Sequence, residues 1–459
     1  MPTATADRLA TETESAGRVS GRGLVPTLHA VRTAARRSVD ARSTVAFRVA
    51  FGALIVYSTV RFVARGWVDE FYLRPEHHLT YPAFGWVHPL PAPWMYVHMG
   101  LLGALGVAIA VGFRPRISAA LFALGFAYVE LIDAALYLNH YWFVTLAAVA
   151  LAIVPGPAGG RVPAVTVWVL RGQVAVVYVF AGIAKLNTDW LLHAQPMSSW
   201  LTARTDRPLI GPLLDEPAVW FTFSWFGAAF DLTIVGWLLW RRSRPIAYVA
   251  VVVFHVATAM LFQIGVFPWV MIALTPIFFS PDWPGRVWAM LSRRDRFSVP
   301  TTEPVRAHRI APPTMAAIAL LVAVNVVLPL RHYAAEGNVR FNDDGYYLSW
   351  RVMLTERSGF LEFTARDPAT DETWVVRPDS VLADWQVAQA VQRPDLALST
   401  AHLVAEQHAG QGRVIEVYAN SWVAFNGRPR QRWIDPDVDL AALDRSSPAS
   451  EYVLAESEP

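Results

Sequence analysis

Nine apolar runs, separated by short polar loops, fill most of the first 331 residues and constrain the fold more than any other feature. They read as helices near 44–64, 93–112, 117–137, 141–154, 164–185, 219–240, 246–263, 266–280 and 314–331. In lipid every backbone N–H and C=O must be satisfied inside the segment, so such runs form helices, and ~20 residues are needed to cross the hydrocarbon. The expected class is a polytopic α-helical membrane bundle. The runs at 141–154 and 266–280 are short for a straight crossing, and if one of them is re-entrant everything after it changes sides. Composition agrees: 54% of residues are hydrophobic and only 17% charged.

Arginines lie in clusters between these runs: Phe113-Arg114-Pro115-Arg116, Arg161, Arg241-Arg242-Ser243-Arg244 and Arg293-Arg294-Asp295-Arg296. With the N-terminus inside, nine spans place all of them in cytoplasmic loops, as the positive-inside rule requires. Residues 1–43 read as an arginine-rich cytoplasmic tail with a short helix near Val31 to Ala41. No apolar stretch precedes a small-residue cleavage site there, so no signal peptide is expected. Residues 44–331 form the transmembrane domain. Residues 332–459 are charged and carry alternating runs, Tyr346 to Met353 and Val414 to Ala424, beside turn sequences such as Asn342-Asp343-Asp344-Gly345 and Asn426-Gly427. Helix-like stretches lie near 380–411. This part reads as an extracytoplasmic α+β domain.

The chain has no cysteine, which excludes disulfides, thiolate metal sites, iron–sulfur clusters and thiol catalysis. It has no HExxH, GxGxxG, Walker or GxSxG motif, and no His or carboxylate grouping that suggests a metal. The net charge of +2 and the placement of the arginines give no reason to expect a nucleic-acid partner.

One lysine, Lys185, stands among 39 Lys and Arg residues, at the end of the apolar stretch Leu170 to Trp190. Arginine can supply charge anywhere, but it does not lose its proton in a protein, whereas a desolvated lysine does. Lys185 therefore reads as a removable proton, against the alternative of a lysine snorkelling to the lipid interface. Arg171, Tyr178 and Lys185 are spaced by seven and share a helix face with Gly182, whose small size admits a neighbouring helix or a ligand. Arg171 lies roughly 21 Å along the helix from Lys185, too far to share a site, and is expected to neutralise an acidic partner.

Glu130 and Asp133, spaced i, i+3, are intramembrane acids that either pair with Lys185 or His140 or serve structure alone. Asp231 reads as structural. The loop Tyr137-Leu138-Asn139-His140-Tyr141-Trp142 offers a histidine and an amide at an outer helix end, suited to a quinone oxygen or a proton shuttle, or to an aromatic belt. His98 and His255 lie within spans and read singly as packing residues.

An ordered set of matches resembles the vitamin K-dependent γ-glutamyl carboxylases and their bacterial relatives with an HTTM domain. The set runs from Phe47-Arg48 with Phe51-Gly52, through Pro89-Leu90-Pro91, Arg116-Ile117-Ser118 and Asn139-His140, to Leu170-Arg171-Gly172-Gln173. It continues with Ala181 to Leu186, Asp189-Trp190, Phe254-His255, Ser280-Pro281-Asp282-Trp283-Pro284, Tyr346, Ser349-Trp350 and Asp435-Pro436-Asp437-Val438-Asp439.

The resemblance implies that Lys185 deprotonates reduced vitamin K or menaquinol and that His140, with Asn139, hydrogen-bonds the quinone oxygens. O2 then converts the quinol to its 2,3-epoxide, and the base formed on the way removes a γ-proton from a peptide glutamate. CO2 traps the carbanion. The expected site has Lys185 and His140 as catalytic residues. Asn139, Asp133, Tyr178 and His255 lie around the quinone, and Tyr346, Ser349 and Trp350 take the glutamate. The cofactor is the hydroquinone, with no metal, and the partners are membrane lipid, quinone and a glutamate-containing peptide on the outer side. Departures from the family's pattern are Ala184 in place of a second lysine, Phe341 for a tryptophan, Thr355 for a histidine, and the missing cysteines that tie the outer domain to the membrane domain. Quinol epoxidation or quinone handling without carboxylation is the alternative, and a non-enzymatic binding or transport protein is a third reading.

Overall fold

The computed structural model describes residues 28–208, 210–262, 264–292 and 308–457. Most of the N-terminal tail and the arginine cluster at 293–296 lie outside the described residues. A short helix α1 (Leu28–Arg36) and strand β1 (Ser38–Asp40) precede the bundle, where the sequence suggested one helix through Ala41. β1 pairs antiparallel with β2 (Arg161–Pro163), and Arg161 Nε donates to Ser38 Oγ at 2.7 Å.

The bundle contains α2 (Arg42–Ala64), α3 (Ala92–Val111), α4 (Pro115–Ile132), α5 (Asn139–Ile153) and α6 (Ala164–Ala184). The short α7 (Thr188–Leu192) and α8 (Met197–Thr202) lead to α9 (Pro217–Leu239), α10 (Arg244–Leu261), α11 (Phe267–Leu274), α12 (Trp283–Ser292) and α13 (Pro312–Leu330). Seven of these, α2, α3, α4, α6, α9, α10 and α13, are long and apolar enough to cross a membrane. The two runs that looked short are short: α5 has 15 residues, and α11 continues only through a 3-10 turn to Phe278.

Glycines set two of the close helix approaches. At Gly52 of α2 a Cβ would stand 2.4 Å from Gly106 O of α3, and at Gly182 of α6 it would stand 2.8 Å from Leu232 N of α9. The second approach brings Asp231 against α6. The sequence ran the third span to residue 137, but α4 stops at Ile132. Asp133 turns to extended backbone, and its carboxylate accepts from Ala135 N at 2.9 Å, which starts a new turn. Arg171 has no acidic partner among the described residues. It donates to the carbonyls of Ile277, Phe278 and Phe279 at 2.9, 3.2 and 2.9 Å, satisfying the end of the turn after α11.

The C-terminal region opens with α14 (Val339–Asn342) and contains a four-stranded antiparallel sheet of order β4-β3-β5-β6. Its strands are β3 (Arg357–Asp367), β4 (Glu372–Val376), β5 (Glu416–Phe425) and β6 (Gln431–Arg432). β3 and β5 pair from Arg357↔Phe425 to Arg366↔Glu416, and burial alternates strictly along β5. Helix α15 (Asp384–Ala390) supplies Ala390, and α16 (Pro394–Ala409) supplies Leu396, Ala397, Ala401 and Val404, to a core shared with Phe363, Val417 and Ala419.

Tyr346 to Met353 is not a strand. Leu348, Trp350 and Met353 take left-handed φ values of 58°, 57° and 54°, and no partner strand reaches them. The sequence alternation does not sort these residues onto two faces: Trp350, Arg351, Val352 and Met353 line one cavity in succession, and Tyr346, which also lines it, packs on Tyr137 and Arg393. Three non-glycine residues in this conformation within six positions is costly backbone that the surrounding packing must hold.

The two regions are joined by polar contacts. Asp189 pairs with Arg428 at 2.6 Å and Arg340 at 3.2 Å, and accepts from Asn426 Nδ2 at 2.9 Å. Arg393 donates to Ala134 O at 3.0 Å. In a chain without cysteine these contacts take the place of a covalent tie.

Candidate active site

Two compartments meet where the bundle faces the C-terminal region. The first, about 100 Å³, lies between α6, α9, α10 and α11. Lys185 caps α6 and is 7% exposed. Its Nζ donates to Asp231 Oδ2 at 2.8 Å and to Ala181 O at 3.3 Å, and sits 5.1 Å from the ring centre of Trp190. Two turns earlier on α6, Tyr178 OH and His255 Nε2 of α10 are 2.8 Å apart. Both line the lysine compartment with Phe223, Phe254 and Met271. The partner of Lys185 is thus Asp231, the acid read as structural, and neither Glu130 nor Asp133.

The second compartment is larger, about 650 Å³, and lies between the bundle and the loop 346–353. Asn139 and His140, at the first turn of α5, line it together with Tyr346 and Trp350. Asn139 Oδ1 accepts from Tyr137 OH at 3.0 Å, and Tyr137 OH in turn accepts from Leu348 N at 2.7 Å, so one tyrosine fixes both the amide and the loop. The His140 ring packs on Tyr141 at 4.8 Å and Phe267 at 5.5 Å. Trp350 is fully buried, and its Nε1 has no hydrogen-bond partner among the described residues. Ser349 Oγ donates to Tyr346 O at 2.5 Å and holds the loop's shape rather than lining the cavity. Burial raises the Tyr346 phenol above its ordinary range, while the Arg393 guanidinium beneath its ring opposes that shift.

Lys185 and His140 do not share one chamber. Phe262, Ile264, Phe267, Val352 and Met353 line both compartments and form the wall between them, with the Phe267 ring 5.5 Å from His140 and 6.2 Å from His255. A third, apolar cavity of about 100 Å³ runs among α2, α3, α4 and α5. It shares Phe62, Tyr72, Leu136, His140 and Tyr141 with the interface cavity. Glu130 lines this third cavity and accepts from Thr145 Oγ1 at 2.5 Å, so it pairs with neither His140 nor Lys185.

Asp133 is fully buried outside all three chambers. His78 Nδ1 lies 3.1 Å from its carboxylate and Gln386 Nε2 donates at 2.8 Å, which makes it part of the joint with the C-terminal region. Phe341, at the position where the resemblance expects a tryptophan, packs on Phe425 and Trp433 in a small core of its own. Sequence reasoning missed the arginines of the interface cavity, Arg61, Arg204 and Arg351. Only Arg351 carried a signal, its place directly after Ser349-Trp350. Among the described residues no group of His, Asp and Glu is arranged to hold a metal.

Fold and site together define a helical membrane bundle with a buried lysine–aspartate pair, set beside a cavity closed by a separate sheet-containing region. Residues 36–283 match the family profile described as HTTM domain, and residues 311–458 match that described as vitamin K-dependent gamma-carboxylase, lumenal domain. The chain belongs to the vitamin K-dependent gamma-carboxylase family. No solved structure matches it.

Proposed function

We propose that this protein is an integral membrane enzyme that oxidises reduced vitamin K or menaquinol with O2 to the 2,3-epoxide and couples this to γ-carboxylation of a peptide glutamate. The supporting observation is the interface cavity, which brings Asn139 and His140 of the bundle together with Tyr346 and Trp350 of the outer loop, one aromatic wall from Lys185.

The residues present fit a prenylated quinol. A flat bicyclic head needs aromatic walls and a few hydrogen-bonding groups, and the interface cavity offers Tyr141, Phe267, His140 and Asn139. A prenyl tail needs an apolar channel, and the cavity among α2 to α5 opens from the same place. When bound, the quinol supplies, by reacting with O2, a base strong enough to remove a γ-hydrogen from glutamate.

The chain's own residues then act as follows. Lys185 takes a proton from a quinol hydroxyl, which requires its amine to be neutral. Asp231 Oδ2, at 2.8 Å, is placed to accept the proton the amine gives up. His140 and the free amide NH2 of Asn139 hold the quinol oxygens. Phe262 and Phe267 keep water from the lysine compartment and must shift for Lys185 to reach a quinol held by His140. Tyr346 and Trp350 receive the glutamyl side chain.

We further propose nine crossings, with the N-terminus cytoplasmic and residues 332–459 outside. Two contacts support a crossing by the α11 segment: Gly265 lies near Arg61 at one end of α2, and Pro281 O accepts from Ser43 N at 2.9 Å at the other. A Thr373→Cys variant places one thiol on the exposed face of β4 and should label with an impermeant reagent in intact cells. Labelling only after lysis would put the C-terminal region inside.

The central experiment incubates purified protein with reduced vitamin K or menaquinol and O2, and measures epoxide with and without a glutamyl peptide and bicarbonate. Epoxide with fixed CO2 is expected. Epoxide without fixed CO2 removes the carboxylase half of the proposal, and no epoxide with either quinol removes the whole.

A further inference from the structure

The interface cavity is lined by three guanidinium groups, from Arg61 at the end of α2, Arg204 just after α8, and Arg351 in the outer loop. No aspartate or glutamate lines it among the described residues. None of the three arginines forms an ion pair with a described carboxylate. Arg351, only 5% exposed, donates to Val339 O at 2.5 Å and Asp344 O at 3.4 Å. Arg204 donates to Trp200 O at 2.7 Å, and Arg61 lies over Trp67 at 4.8 Å.

Nearby acids are committed elsewhere: Asp343 to Arg357, Asp189 to Arg340 and Arg428, and Glu356 to the Trp200 indole. Burial, with Arg357 and Arg340 nearby, holds the Arg351 guanidinium below its ordinary range, and the attraction of Asp343 does not offset this. A buried cation without a counter-ion is costly, and its usual explanation is an anion that arrives later.

A second observation points the same way. Trp350 is fully buried, lines the same cavity, and leaves its Nε1–H without an acceptor. The strained loop that carries Trp350 also carries Arg351. Cationic donors and an orphaned N–H, with no acid among them, suit a ligand that only accepts hydrogen bonds, which describes an ionised carboxylate. Three cations also exceed what one carboxylate neutralises.

We propose that the interface cavity is a receptor for a malonate-type dicarboxylate, the γ-carboxylated glutamyl side chain, and that it holds this dianion more tightly than the glutamyl monoanion. The proposal rests on the carboxylation reading above. In that reaction a γ C–H bond breaks, its proton goes to the base that the quinol and O2 supply, and the carbon forms a bond to CO2. The charge on the side chain thereby rises from one to two. Arg61, Arg204 and Arg351 are positioned to receive the second charge as it forms, and product release then becomes the step that salt accelerates.

The test measures binding to full-length protein in detergent with no quinol present, so that it does not depend on turnover. The probes are a glutamyl peptide, the same peptide carrying γ-carboxyglutamate, and the small anions malonate, acetate and phosphate as competitors. One additional charge-assisted contact predicts that the carboxylated peptide binds about ten- to a hundredfold more tightly, and that malonate competes while acetate does not. Arg351→Gln and Arg61→Gln should each remove most of that preference.

Arg61 makes no side-chain hydrogen bond to a described residue, so its variant leaves the loop's contacts intact, and unchanged thermal stability confirms this. Equal affinity for the two peptides overturns the proposal, as does a folded Arg61→Gln protein that keeps the full preference. Phosphate or anionic-lipid nanodiscs competing as well as malonate would overturn it in favour of a headgroup site. Preference for the dianion without any epoxide formation would leave this site standing and remove the enzymatic reading.

Discussion

The lysine compartment and the interface cavity hold charge in opposite ways. In the first, one cation meets one anion, Lys185 and Asp231, inside helices brought close by Gly182. In the second, three cations meet no carboxylate among the described residues, and one wall is a loop with three left-handed residues. A matched pair in a dry chamber is suited to passing a proton, because either partner can hold it. An unmatched cluster in a roomier chamber is suited to binding, because the missing charge comes from the ligand. The contrast separates a proton-transfer role from a recognition role across a wall of Phe262, Ile264 and Phe267.

The largest effect expected on either side is at Lys185. Lys185→Arg should reduce epoxide formation as much as Lys185→Ala, by about 10²–10⁴ in rate, because arginine keeps the charge but cannot act as a base. Both variants keep a helix former at the end of α6. The comparison must use protein of equal thermal stability. Near-normal epoxidation by the arginine variant would reduce Lys185 to a counter-ion of Asp231, and the difference between the two compartments would be one of packing alone.

The sequence made the bundle legible because long uncharged runs have one solution in lipid. It placed the nine apolar runs on helices within a few residues, except at the end of α4 and at the end of α11, which stops at Leu274 and goes on only as a 3-10 turn. After α4, Asp133 is followed by apolar residues through Leu138, so composition gave no stop signal and the break came from the aspartate's own bond to Ala135 N. It could flag that Gly182 admits a close neighbour, but not that the neighbour is α9, so the choice among Glu130, Asp133 and Asp231 was out of reach. The loop 346–353 misled because the left-handed backbone at Leu348, Trp350 and Met353, which breaks any strand, leaves no trace in the residue pattern. The arginine cluster was invisible for a different reason: its charge is a sum over α2, the segment after α8, and the outer loop, which only the fold brings together.

An intermediate effect is expected at Asp231. Asp231→Asn leaves Lys185 buried without its partner, which should cost roughly 3–5 kcal/mol of stability, read as a lowered detergent unfolding temperature. The double variant Lys185→Met with Asp231→Leu removes both charges and should recover most of that loss. It should also leave the anion preference of the interface cavity unchanged. If the double variant is no more stable than Asp231→Asn alone, Asp231 contributes through packing against α6, and the matched-pair description of this compartment fails.

The smallest effect is expected at Tyr178, and it tests whether the wall isolates the two chambers. Tyr178 OH and His255 Nε2 share one hydrogen bond of 2.8 Å, inside a stack where Phe230 lies 5.8 Å from Tyr178 and 4.1 Å from Phe254. Tyr178→Phe keeps the ring and its packing and removes the hydroxyl's contacts with His255 and Thr275, a cost of about 1–3 kcal/mol. Unfolding temperature should fall by a few degrees. Epoxide formation should fall less than tenfold, because Tyr178 makes no hydrogen bond to Lys185 or Asp231. Malonate competition at the interface cavity should not change, since Tyr178 does not line it. His255 does touch the dividing wall, with its ring 6.2 Å from that of Phe267. A changed malonate preference in Tyr178→Phe would therefore mean that reorienting His255 moves Phe267, and that the two compartments respond as one. A loss of epoxide as large as that of Lys185→Arg would instead put Tyr178 and His255 on the proton's route, extending the proton-handling compartment two further turns along α6.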